Sequence, residues 1–356
     1  MTGSVAGSMQ SNRGNKIMNK AKGAFAAVLA AAGIVLAGSA AADEVADFYS
    51  GKTVSIDVAA EGGSYAVHSQ IVAQYLGRFI PGKPSVIAQY MPGAGGARAA
   101  NYVYNAAPKD GTVIGLLLKY IALEQATGRA GVKYDVRKFN YLISTAPINS
   151  VVAIWHKSPA TTVEGAKKAQ LIMGSTGKSS ETYITPTLMN TFLGTKFRVV
   201  TGYKSPTAVH LAMEQGEAHG VAAAWESITA DRPQWVASKE ALFLAQSGLY
   251  RDTELPQVPR LIDLTNDPAA RAIFEFVGAN STIGRLYVAP PGVPAARVAA
   301  LQQAFEAMTK DATFLADAKK HHIAIEPRSG ADVKALMMKM IDAPADVIAK
   351  TKAAIK

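Results

Sequence analysis

Runs of strand length alternate with runs of helical spacing along this chain, and glycine-rich turns separate them. TVSIDVAA (53–60) predicts a strand, EGGSY (61–65) a turn, and AVHSQIVAQYLGRFI (66–80) a helix closed by Pro81-Gly82. SVIAQYM (85–91), PGAGG (92–96) and ARAANYVYNAA (97–107) repeat the unit, and TVIGLLL (112–118) begins another. After the long apolar run 140–158 the pattern starts again. AQLIM leads through GSTGKSS (174–180) to a helix over 181–193, then a strand in FRVVTGY (197–203), a helix over 205–220 and a strand in VAAAW (221–225). ALFLAQSG (241–248) and RLYVAPPGVP (285–294) predict further strands, and 295–310 a strong amphipathic helix. Serial strand–loop–helix units build an α/β fold with a largely parallel sheet. Glycine-rich turns at the carboxyl ends of strands are where such sheets take ligands.

The 356 residues, 49% of them hydrophobic, suffice for one or two cored domains. The absence of cysteine excludes disulfides, thiolate metal sites and cysteine nucleophiles. Near the start, the basic stretch Met18-Asn19-Lys20-Ala21-Lys22 precedes the uncharged AFAAVLAAAGIVL (24–36) and the small-residue AGSAAA ending at Ala42. That order is a secretory signal, with cleavage expected near Ala42, Met18 as working initiator and a periplasmic destination. The formal charge of +10 loses Arg13, Lys16, Lys20 and Lys22 with the signal, leaving +6. Scattered cations without basic runs argue for a solvated surface with a bias toward small anions, and against nucleic acid.

Gly177-Lys178-Ser179 resembles the end of a phosphate loop, but that motif needs a glycine at 172, where this chain has Ile172. What survives is chemistry: successive N–H groups at a helix start, with the hydroxyls of Ser175, Thr176, Ser179 and Ser180, suit a carboxylate. Glu61 to Tyr65 is a similar loop, in which Gly62 and Gly63 permit close backbone approach and Ser64 is expected to cap the helix. The dinucleotide fingerprint fails in PGAGGAR at Arg98. Nucleophile-elbow and zinc-protease motifs are absent, and none of the six histidines pairs with a carboxylate at metal-ligand spacing. His321-His322 is expected to cap a helix end, and Glu214 with Glu217 to form a solvated helix face.

MPGAGGARAANYVYNAAPKDGTVIGLL (91–117), with GSTGKSS, VVTGYKSPTAVHLAMEQGEAHG and LYVAPPGVPAARVAALQQAF, resembles the Bug-type receptors, the extracytoplasmic solute-binding proteins of tripartite tricarboxylate transporters. The resemblance covers nearly all of 43–356. It implies a type II-like periplasmic binding protein fold. One α/β domain would comprise 43–147 with 284–356 and the other 148–283, hinged around 144–150 and 281–288 with a ligand cleft between them. It further implies a monomer that binds a small carboxylate without a cofactor and docks on membrane permease subunits.

Carried over by position, the ligand loops are Glu61, Gly62, Gly63, Ser64 and Tyr65, and Gly174, Ser175, Thr176, Gly177, Lys178, Ser179 and Ser180. Tyr203 and Lys204 also reach the cleft, and Tyr65 with Trp225 would offer an aromatic wall. The chain departs from the family at Glu61, where an uncharged residue is usual. It departs again at Ala66 and Gln70, in place of Asp and Arg, and at His219, in place of an acid. The alternatives are a carboxylate sensor feeding a signalling partner, and a hydrolase using Ser179 or Ser180 with a histidine base.

Overall fold

The computed structural model describes residues 1–3, 43–321 and 323–356. The expected secretory segment therefore lies outside the described residues, its first three excepted, and so does His322. Residues 43–49 form the first helix, α1. β1 (Thr53–Val58), α2 (Gly63–Leu76), β2 (Ser85–Tyr90), α3 (Ala97–Asn105), β3 (Val113–Leu117), α4 (Ile121–Ala126) and β4 (Asn140–Ser144) follow. The chain then builds β5 (Ser150–Trp155), α5 (Val163–Ala166), β6 (Leu171–Ser175), α6 (Glu181–Leu193), β7 (Phe197–Thr201), α7 (Pro206–Glu214), β8 (Gly220–Ala224), α8 (Trp225–Asp231), α9 (Pro233–Ser238) and β9 (Ala241–Gln246). It returns through α10 (Pro268–Ile283) to β10 (Leu286–Ala289), α11 (Ala295–Met308), α12 (Ala312–Lys320), β11 (Arg328–Ser329), α13 (Gly330–Ile341) and α14 (Ala345–Ala354).

The strands make two sheets, ordered β11-β4-β10-β3-β1-β2 and β7-β6-β8-β5-β9. β1 runs parallel to β2 and β3, and β6 runs parallel to β7 and β8. The expected parallel character holds there and fails at β10, β11 and β5, which lie antiparallel to their neighbours. β5 and β10 are the first strands after each passage between sheets, so neither is joined to its neighbours by a crossover within one sheet. The apolar run 140–158 is two strands, one in each sheet. Pro147 lies in the break and cannot donate a ladder bond.

The segments that join the sheets bond to each other. Thr145 N–H donates to the Arg285 carbonyl (3.1 Å), Arg285 N–H to Ala146 (2.9 Å) and Ile148 N–H to Ser281 (2.9 Å). Around the first sheet Ile56, Val58, Leu76, Ile114, Phe305 and Phe314 form one core, and Met213, Val221 and Trp235 belong to another on the second. A third apolar cluster runs from Leu117 and Tyr141 to Ile154, Leu188 and Phe274, so both sheets contribute to it.

α10 was legible in outline yet unpredicted. Asp267 accepts from the N–H groups of Ala269 and Ala270, Pro268 opens the helix and Gly284 ends it. The helix expected over 205–220 stops at Glu214, because Gly216 takes a left-handed φ of 78°. Glu214 is more than a solvated face: its carboxylate accepts from Arg232 Nε (2.7 Å) and Trp235 Nε1 (3.1 Å). His321 does cap α12, at its exposed end.

Candidate ligand-binding cleft

The carboxyl ends of β1, β2 and β3 feed the segments 59–62, 91–96 and 118–120, while those of β6 and β7 feed 176–180 and 202–205. The two sets of segments meet. Gly95 sits so close to Ser179 that a Cβ at Gly95 would overlap its side chain and backbone. A Cβ at Gly63 would lie 3.4 Å from Ser227 Oγ. Gly95 has a φ of 64°, so both its conformation and its surroundings exclude a side chain.

Two ion pairs cross the same meeting. Lys119, just past β3, places Nζ 2.9 Å from Glu181 Oε2 at the start of α6. The same ammonium donates to Ser150 Oγ (2.9 Å) and the Ile148 carbonyl (3.2 Å), and the Ser150 hydroxyl donates to Glu181. Arg285, fully buried just before β10, pairs with Glu226 of α8 and donates to the Ser64 carbonyl at 3.3 Å. Its guanidinium lies 5.4 Å from the Tyr65 ring centroid, and its buried Nε–H has no acceptor.

Among the residues expected at the first loop, Glu61 and Gly62 are exposed, Gly63 and Tyr65 are half-buried and Ser64 is buried. Ser64 does not cap α2. Gly62 holds that position, with φ 82°, because the helix begins one turn earlier than the pattern 66–80 suggested. Burial pushes the Tyr65 phenol well up, and Arg285 beside it pulls the other way. Beneath, His68 Nδ1 lies 2.9 Å from the Tyr287 hydroxyl and Nε2 lies 2.9 Å from Thr145 Oγ1. Burial and then Arg285 hold that imidazole well below its ordinary pKa, hence neutral.

The second loop is shaped by its own hydroxyls. Gly174 and Ser175 are buried, and Ser175 Oγ lies 3.0 Å from Thr182 Oγ1, which also accepts from Thr176 N–H at 3.0 Å. Thr176 donates to Ser180 Oγ (2.9 Å), and Ser180 donates to the Gly177 carbonyl (2.8 Å). Neither α2 nor α6 has a side-chain cap, and in α6 Tyr183 N–H donates to the Ser180 carbonyl (3.0 Å), so the N–H groups of Glu181 and Thr182 are those no side chain or turn carbonyl takes. Lys178 is exposed, its ammonium 5.9 Å from the Tyr183 ring centroid. Gly202 and Tyr203 N–H groups donate to the Ser175 carbonyl at 3.1 and 3.3 Å, tying that turn to the loop, and Lys204 is exposed.

Trp225 packs into the core of the second sheet. It is 5% exposed, meets Phe243 edge-on at 5.1 Å and donates from Nε1 to Glu254 at 2.5 Å. It lines a groove of about 770 Å³ with Asn149, Tyr250, Lys319 and Arg328. Glu226, Pro147 and Ser281 line the same groove, so it adjoins the joining segments and the Arg285–Glu226 pair.

Sequence reasoning missed Lys119, Glu124, Glu181, Glu226 and Arg285. A signal existed for the cations: Lys119 follows TVIGLLL and Arg285 precedes LYVA, and a charge inside an apolar run must find a partner when buried. Glu124 of α4 is 3% exposed and accepts from the Tyr134 hydroxyl at 3.0 Å. Burial pushes its carboxyl up to about 7, opposed by the hydroxyls of Ser179 and Tyr134. Among the described residues no group of three or more potential metal ligands occurs, and no helix is long and apolar enough to cross a membrane.

No protein-family model and no curated protein matches the chain. Solved structures do. Rpa4515 of R. palustris with adipate superposes with a TM-score of 0.66 at 19% identity, over 85% of this chain and 97% of that one. The periplasmic binding protein BugD gives 0.66 at 16%, over 84% and 97%. MatC of Rhodopseudomonas palustris with bound malate gives 0.61 at 15%, over 86% and 99%. The fold is therefore that of the TctC- and Bug-type periplasmic solute-binding proteins.

Proposed function

We propose that the chain is an extracytoplasmic solute-binding protein whose two lobes close over a small organic acid. The observation that carries this reading is the meeting of the strand-end loops of both sheets around the buried cations Lys119 and Arg285. Uncapped helix starts at α2 and α6 add N–H donors at the same place. A carboxylate there gains charge-assisted hydrogen bonds in a poorly hydrated setting, where they are strongest. That Rpa4515 and MatC carry adipate and malate supports the ligand class.

The lobes of this reading are 43–147 with 284–356, and 148–283. The hinge is the bonded pair of segments around Ala146 and Arg285, and α10 lies against α13 and α14 of the other lobe. The ligand loops are Glu61 to Tyr65 and Gly174 to Ser180, with Tyr203 at their edge. The protein acts as a monomer without a cofactor and passes its ligand to the permease of a tripartite tricarboxylate-type transporter. Binding rather than turnover is its role, in keeping with neighbours that are solute-binding proteins; the Ser180 hydroxyl, for its part, donates to the Gly177 carbonyl.

Calorimetric titration with adipate, malate and ATP tests the reading. Saturable binding of a carboxylic acid that Lys119→Met weakens supports it. Binding of ATP and of no carboxylic acid overturns it.

A further inference from the structure

Lys119 and Arg285 are buried, whereas the glutamates that pair with them keep an edge in contact with solvent. Lys119 is 3% exposed and Arg285 fully buried; Lys119 also donates to Ile148 and Ser150 at the start of the second lobe, beside the hinge, and Arg285 to Ser64 of its own lobe. Glu181 and Glu226 each keep 17% of the side chain exposed, and both reach across from the second sheet. A rotation of either glutamate about its own side chain returns its carboxylate to water. The cations have no such exit. A buried cation needs an acceptor whenever the lobes are shut, since a bare one carries a heavy desolvation cost. Arg285 is short of acceptors already, with its Nε–H buried and unpartnered.

We infer that Glu181 and Glu226 are built-in competitors of the ligand. In the ligand-free protein they neutralise Lys119 and Arg285 and hold the lobes together. In the loaded protein the ligand's own carboxylates take over both cations, and the glutamates turn to solvent. This rests on the reading of the cleft as a carboxylate site, and it narrows the ligand to an acid with two carboxylates. A monocarboxylate releases one glutamate only and leaves the other pair latched. The latch lowers apparent affinity, because the binding-competent form is a fraction of the ligand-free population.

The test uses the full chain as wild type, Glu181→Gln, Glu226→Gln and the double variant. Small-angle scattering compares the ligand-free proteins, and calorimetry titrates each with adipate and with hexanoate, its single-carboxylate counterpart. The expected result is a larger radius of gyration for the ligand-free double variant. Adipate affinity should rise by about fivefold or more, and adipate should be preferred over hexanoate throughout. An unchanged radius overturns the latch, even if affinity rises through lost charge repulsion. Weaker adipate binding in the glutamine variants also overturns it, since the glutamates would then be ligand contacts. If the wild type binds neither acid, the carboxylate reading fails, while the scattering comparison still decides whether the glutamates hold the lobes together.

Discussion

Gly95 of the first sheet's loop lies directly against Ser179 of the second sheet's loop, with no room for a methyl group between them. The contact makes Gly95 the natural place for a wedge. Gly95→Ala should hold the lobes apart and weaken adipate binding by about tenfold, as expected when the closed form is disfavoured. Gly194→Ala is the control. Its φ of 74° imposes a similar backbone strain of about 1–2 kcal/mol, but nothing lies near its Cβ. Equal loss of affinity in both variants would show that strain, and not the contact, is responsible.

Lys119→Met removes one side of a buried ion pair and leaves Glu181 and Ser150 without their donor. Urea unfolding of the ligand-free protein should show a loss of about 2–3 kcal/mol, under the 3–5 typical of a fully buried pair because Glu181 can reach water. Adding Glu181→Gln should recover part of that loss. A double variant as unstable as the sum of the two single variants would mean the residues are not coupled.

These two contacts show what the sequence could and could not reveal. The α/β class follows from the strand–turn–helix alternation, and the glycine loops at 61–65, 92–96 and 174–180 are readable because Gly62, Gly63, Gly93, Gly95, Gly96 and Gly177 hold positive φ there. Ion pairs such as Lys119 with Glu181, or Arg285 with Glu226, join residues 62 and 59 positions apart in the chain. Local spacing does not encode such pairs. It does flag a lone charge in an apolar run, and both cations carry that flag. Trp225 could be read as buried and aromatic, but the flank it faces depends on the strand order β8-β5-β9, which periodicity does not specify.

Glu124 gives a pH signature. Its carboxyl is raised by burial from an ordinary 4.5 to about 7, so between those values the native state holds a proton that the unfolded chain has released. Its contribution is therefore fully present below about pH 4.5 and is lost as pH rises through about 7. Relative to Glu124→Gln, the wild type should lose about 3 kcal/mol between those limits, as an upper figure. Urea midpoints at pH 5 and pH 8 for both proteins measure this, and parallel profiles would remove Glu124 as the source.

Glu61 is exposed, and no ion pair involves it among the described residues. Glu61→Gln should change adipate affinity by less than about twofold at physiological ionic strength, where exposed charges are screened. A marked tightening would place its carboxylate beside the ligand.

The most direct test of the account is the melting behaviour of the full chain with adipate and with malate. At about 100 times its dissociation constant, a bound acid should stabilise the protein by about 2.7 kcal/mol, and Lys119→Met should abolish most of that gain at the same concentration. No stabilisation by either acid, or an equal gain in the wild type and in Lys119→Met, would contradict a cleft that closes on a carboxylate through its buried cations.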